Sequence, residues 1–222
     1  MDTKDKLKIG YAGNLPYYDP DSSYKNGFRS LKKALMDYRY YGVNDPVGKS
    51  PYYFFKALQE LKKRMPNPDI EVNLWGAIDD RIQHLAEKMG IDDLVKITGK
   101  LPRNESFEKL KEQDLLLLIV ARGKNGNPPF SIPGKTFDYF ELGMPILALV
   151  EESQCARAIR SSGLGIVINP TESDVVAVKI EALMKDKSEI KNLVADQEYL
   201  KRFHFSKLAE QYSQTIEDLI NE

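Results

Sequence analysis

The chain has 222 residues, 42% apolar and 29% charged, with a formal net charge of −1 and a pI near 6.2. That length can bury a core as one large domain, and the ordinary apolar content argues against disorder. The near-neutral charge gives no electrostatic drive toward nucleic acid or an anionic membrane. Cys155 is the one cysteine and His84 and His204 are the two histidines, so there is no intrachain disulfide, and a Cys/His metal site finds too few ligands. A reducing cytoplasm fits this usage. The N-terminal Met-Asp-Thr-Lys-Asp-Lys lacks the apolar core of a signal peptide, and the longest apolar run, Leu115 to Ala121, is too short to span a bilayer.

Leu7 to Ala12 reads as the first strand. The stretch from Pro16 to Lys49 then breaks the rhythm: it holds six of the twelve tyrosines, and turns at Asp19-Pro20-Asp21 and Asn44-Asp45-Pro46 flank an apolar stripe of Phe28, Leu31, Leu35 and Met36. It reads as an insertion at 16–49 in a strand-to-helix connection. Pro51 to Arg64 carries Phe54, Phe55, Leu58 and Leu61 at helical spacing, and strand Ile70 to Trp75 follows. Ile82, Leu85, Ala86 and Met89 form a second helix before Gly90. Strand Val95 to Thr98 precedes a helix after Asn104 with Phe107 and Leu110, and Leu115 to Val120 is the next strand.

Lys135 to Leu142 is helical, ended by Gly143 and Pro145, and strand Pro145 to Val150 follows. A helix with Ala156 and Ile159, strand Gly165 to Ile168 and a helix with Val175, Val176, Ile180 and Leu183, capped at Thr171, complete the alternation. Helical signal continues over Ser188 to Tyr199 and Phe205 to Ile220. Most of the strands are continuous apolar runs, the pattern of a parallel sheet covered on both faces. The order predicts a doubly wound, Rossmann-like α/β sheet of about six strands with flanking helices, as a single domain 1–222 with added C-terminal helices at 188–222.

Chemistry concentrates between Phe130 and Leu149. A helix begins directly after Gly134-Lys135, so exposed N–H groups, the positive end of the helix dipole and a lysine converge on one place. A phosphate can be held there without a metal ion. Gly134-Lys135-Thr136 matches the tail of a P-loop, but Pro129 stands where the motif needs its first glycine. Asp19-Pro20-Asp21 reads as a solvated turn, and Gly163-Leu164-Gly165 lacks a third glycine and precedes a strand. His84 and His204 read as structural or surface residues.

Six segments carry a wider likeness. They are Ile9-Gly10-Tyr11-Ala12-Gly13-Asn14, Ser50-Pro51 with Phe54 to Leu58, Leu74-Trp75-Gly76, Val95 to Pro102, Pro133 to Tyr139, and Gly143 to Ala148. In this order and spacing they resemble the C-terminal, donor-binding domain of GT-B glycosyltransferases, above all the retaining family called glycosyltransferase group 1. The likeness runs from about Leu7 to Pro170, outside the insertion.

The resemblance implies a nucleotide-sugar-binding half of an enzyme that transfers a sugar to an acceptor hydroxyl, with retention and without a metal, in glycan or polysaccharide biosynthesis. The Gly13-Asn14 turn would face the donor phosphates, and Lys49, eight residues before Ala57, matches the lysine that contacts the diphosphate. Gly76, Leu101 and Pro102 would border the nucleobase. Asp138 falls at the second position of the Glu-x7-Glu motif, which binds the ribose hydroxyls, whereas Phe130 replaces its first glutamate. Ser131, Ile132, Pro133, Gly134 and Lys135 form the loop and helix start that would meet phosphate or sugar.

The likeness implies no cofactor, a UDP- or GDP-linked sugar as substrate, and a glycan or lipid-linked acceptor. It also implies an N-terminal acceptor domain absent from this chain, without which the half would be inactive, and a cytoplasmic location with peripheral membrane contact through the full-length protein. Catalytic residues are not identified. The alternatives are a noncatalytic nucleotide-binding or assembly module and, less well supported, a P-loop ATPase.

Overall fold

The computed structural model describes residues 6–18, 44–123 and 131–221. Most of the predicted insertion, with its apolar stripe and its Asp19-Pro20-Asp21 turn, lies outside the described residues, as do Pro129 and Phe130. The strands are β1 (Leu7–Ala12), β2 (Asn44–Asp45), β3 (Ile70–Trp75), β4 (Val95–Thr98), β5 (Leu115–Ile119), β6 (Arg122–Gly123), β7 (Ile146–Leu149) and β8 (Gly165–Ile168). The helices are α1 (Tyr52–Arg64), α2 (Arg81–Lys88), α3 (Arg103–Lys111), α4 (Gly134–Leu142), α5 (Gln154–Ser161), α6 (Ser173–Lys185), α7 (Ser188–Lys191), α8 (Gln197–Lys201) and α9 (Phe205–Asn221).

Six strands form one sheet in the order β4-β3-β1-β5-β7-β8, every neighbouring pair parallel. The continuous apolar runs have the cause expected of them. Leu115 and Leu117 face a core with Leu147, Leu149 and residues of α1, α2 and α6. Leu116 and Leu118 face a second core with Ile146, Ala148 and residues of α4 and α5. With helices on both faces, a period-two alternation of polar and apolar residues has no reason to appear.

The chain leaves β1 toward one side of the sheet and β5 toward the other, so the crossovers diverge between these two strands. The carboxyl ends of β1 and β5 therefore flank a topological switch point, the place where doubly wound sheets leave a crevice. α4 lies beside it. Pro133 caps α4 in an extended conformation (φ −60°, ψ 140°), and Gly143 ends it at φ 63°, the left-handed geometry its sequence predicted.

Two local expectations are corrected. Thr171 does not cap α6: its N–H and hydroxyl both turn to Asn169 Oδ1, and Glu172 takes the cap position. The helix expected over Ser188 to Tyr199 is broken into α7 and α8, because Asp196 accepts from the N–H of Tyr199 and starts a new helix. α9 is amphipathic yet exposed along its length, with Phe205, Tyr212, Ile216, Leu219 and Ile220 all more than half exposed. No described helix is long and apolar enough to cross a membrane.

Candidate functional site

The crevice is built on two glycines. Gly13 leaves β1 at φ 145° and Gly76 leaves β3 at φ 126°, conformations that L side chains avoid. They also touch: a Cβ on Gly76 would run into the carbonyl of Gly13. Gly13 N–H donates to Trp75 O at 2.8 Å, and Leu15 N–H to Ala77 O at 3.1 Å, so the two exits stay side by side beyond the sheet. Tyr11 braces the turn by donating its hydroxyl to Asn14 O at 2.8 Å. Burial pushes the Tyr11 phenol above its ordinary range, so this hydroxyl stays protonated.

Lys135, the second residue of α4, reaches across to this turn. Its Nζ donates to Ala12 O at 2.5 Å and stands 4.2 Å from the centre of the Tyr11 ring, a cation–π arrangement. A Cβ on Gly13 would collide with Nζ, so the ammonium occupies the space that the missing side chain leaves. Burial pulls the Lys135 pKa down to about 8, opposed by the field of Asp138. Among the described residues Lys135 makes no ion pair. An ammonium with spare donors, partly withdrawn from water at a helix N-terminus, favours an anion arriving in the crevice.

The other predicted residues gather in two places. Gly76 N–H donates to Thr98 O and Gly99 O, each at 3.3 Å, which ties the exit of β4 to the glycine pair. Pro102 then caps α3, and half-buried Leu101 packs on the second core. Arg103, next in sequence, donates to Asp138 Oδ1 at 2.7 Å and lies 4.7 Å over the Phe107 ring. The Leu101-Pro102 corner is thus brought to Asp138, although Asp138 already holds a cation. Ser131, Ile132 and Pro133 lead into Gly134, and α4 has no side-chain cap at its N-terminus.

Lys49 comes from a different segment of the chain. It ends a short 3-10 helix, Pro46–Lys49, beside the antiparallel pair β2–β6. Arg122 of β6 donates to Glu151 at 3.0 Å and to the Tyr53 hydroxyl at 2.9 Å. Tyr11, Arg103, Arg122 and Glu151 were not singled out from sequence, since no spacing links an arginine to a carboxylate 29 positions away. Cys155 is buried and pushed up to about 11, so it remains a thiol. No group of three or more metal-ligating side chains is found among the described residues.

No protein-family model matches the chain, and no curated protein does. Solved structures do. Alr3699/HepE of Anabaena, crystallised with UDP-glucose, superposes with a TM-score of 0.62 at 15% identity, over 96% of this chain and 49% of that one. The pneumococcal O-GlcNAc transferase GtfA, crystallised with UDP and GlcNAc, gives 0.59 at 12% identity over 99% and 37%. WaaG, a glycosyltransferase of lipopolysaccharide biosynthesis, gives 0.56 at 15% over 96% and 48%. The chain has the fold of one GT-B domain and spans about half the length of the first of these structures, or less.

Proposed function

We propose that the chain is the nucleotide-sugar-binding half of a retaining, metal-independent glycosyltransferase of glycan or polysaccharide assembly. The observation that carries this reading is the Lys135 ammonium at the start of α4, laid over Gly13 at the switch point of the sheet. A departing nucleoside diphosphate develops negative charge, and Lys135, Lys49, the free N–H groups of α4 and its dipole supply the opposing charge. Asp138, whose Oδ1 holds Arg103, accepts from the ribose hydroxyls. Gly76 and the Leu101-Pro102 corner take the base, with UDP or GDP as the carrier. Two relatives in fold, crystallised with UDP-glucose and with UDP and GlcNAc, lend support.

In this reading the acceptor, a glycan or lipid-linked hydroxyl, is presented by a second, N-terminal half, and the exposed apolar stripe of α9 meets that half. The chain alone binds donor weakly and transfers little. A second reading, a noncatalytic nucleotide-binding module, draws on Phe130, which stands where the resemblance expects a glutamate at the donor sugar.

Calorimetric titration with UDP, GDP, ADP and their sugars, with and without magnesium, tests the proposal. Binding of a nucleoside diphosphate without metal, weakened in Lys135→Ala and in Asp138→Ala, is the expected result. Binding and hydrolysis of ATP with magnesium alone would sink it. The noncatalytic reading gains if the diphosphate binds and its sugar conjugates do not.

A further inference from the structure

Resting on the donor-site reading above, we propose that Arg122 and Glu151 are positioning residues that hold Lys49 at the diphosphate end of the site. Lys49 belongs to none of the six sheet strands, so something outside the sheet must fix it. The segment before it, Asn44–Asp45, pairs with Arg122–Gly123, which follows directly on β5 at the switch point. Gly48 packs flat on the same residue: a Cβ there would lie 2.6 Å from Arg122 N and 2.9 Å from its Cγ. Any side chain at 48 would push the Lys49 turn away.

Arg122 then links two further elements, the exit of β7 and the first turn of α1. Its Nε donates to Glu151 Oε1 at 3.0 Å, while Gly123 N–H donates to Glu151 Oε2 at 2.9 Å, so one carboxylate at the exit of β7 grips both residues of β6. Its Nη1 donates to the Tyr53 hydroxyl at 2.9 Å, with the guanidinium 5.4 Å over that ring, on the first turn of the helix that follows Lys49. The pair is mostly withdrawn from water, the side chains being 25% and 21% exposed. Paired with Glu151 and bonded to Tyr53, the Arg122 guanidinium acts as a cross-link. Removing either partner strands a charge and releases the turn.

The sign of one substitution separates positioning from simple electrostatics. Deleting the negative charge of Glu151 beside an anion site would strengthen diphosphate binding if charge alone counted. Positioning predicts the reverse. Titration of wild type, Glu151→Gln, Arg122→Met and Lys49→Met with UDP, GDP and ADP, and with the matching nucleosides, reads the difference. Glu151→Gln and Arg122→Met are expected to weaken the diphosphate about tenfold and to leave the nucleoside unchanged. Lys49→Met should add nothing further in the Glu151→Gln background, as for residues acting through one another.

Tyr53→Phe, which keeps the ion pair, gives a smaller loss in the same direction and serves if Arg122→Met does not fold. Diphosphate affinity in Glu151→Gln at or above wild type, or full additivity with Lys49→Met, overturns the assignment while leaving the donor site standing. If wild type binds none of the three diphosphates, the donor reading itself fails and this inference falls with it.

Discussion

Lys135 Nζ donates to the carbonyl of Ala12, 123 positions away in the chain, and thereby lies over the Cα of Gly13. Helix start, strand exit and glycine turn are joined by a single ammonium. Most of its consequences can be measured.

Gly13→Ala places a methyl group where Lys135 Nζ now sits, on a backbone at φ 145°. Stability should drop by about 1–3 kcal/mol from the backbone strain alone, and nucleotide binding should be lost with it. Urea unfolding measures the first and calorimetry the second. Adding Lys135→Ala should return part of the stability by removing the collision, but not the part owed to φ. An unchanged unfolding midpoint in Gly13→Ala would contradict the packing described.

Lys135 makes both stability and binding depend on pH. Its folded pKa, about 8, lies below the ordinary lysine value of 10.5, so between these values the unfolded chain carries more protons than the folded one. Stability therefore rises with pH across that window, and below pH 8 the buried charge costs at most about 3 kcal/mol. Lys135→Met should unfold at a higher temperature than wild type at pH 7, and the difference should shrink toward pH 10. A bound diphosphate favours the charged form, so the complex takes up a proton. Affinity should fall above pH 8 in wild type and stay flat in Lys135→Met.

The Arg103–Asp138 pair is exposed on one side, 70% for Arg103 and 34% for Asp138, so breaking it should cost less than about 1 kcal/mol. Its effect should appear in binding. Asp138→Ala is expected to weaken UDP or GDP while leaving inorganic pyrophosphate, which has no ribose, unchanged. Arg103→Ala should leave nucleotide affinity unchanged or raise it, because the carboxylate is released. A tenfold loss in Arg103→Ala would make the arginine the contact and Asp138 its support.

α9 buries little of its apolar stripe: Phe205 is 91% exposed and Ile220 76%. A lone helix of this length is marginal in water. Deleting residues 205–222 should lower the unfolding free energy by less than about 1 kcal/mol, and amides of 205–221 should exchange rapidly in the intact chain. Strong protection there, or a large loss on deletion, would show that α9 packs on this domain.

Much of the fold was legible in order. The six strands were found because burial on both faces leaves continuous apolar runs such as Leu115 to Leu118, and α4 because Pro133 and Gly143 bound it by local backbone chemistry. Thr171 misled because a threonine ahead of an apolar run is a good cap only if its hydroxyl faces the helix, and here Asn169 captures it. The break between α7 and α8 hid for the same reason, since Asp196 caps from within a stretch whose apolar spacing remains helical. Resemblance picked out Gly13, Gly76, Lys135 and Asp138 as candidates by register, yet gave no sign that Asp138 would hold Arg103 or that Gly48 would pack on Arg122.

By itself, then, the amino-acid order determined what depends on neighbours along the chain: strand and helix type, the glycine turns, the helix start that offers N–H groups and a lysine. Only the tertiary structure decided which of these meet. Lys135 reaches Ala12 because α4 and β1 stand beside the same crevice, and Arg122 reaches Glu151 because β5 and β7 are paired neighbours. Local propensity acts over a few residues, whereas the order of strands in the sheet sets which distant side chains share a space.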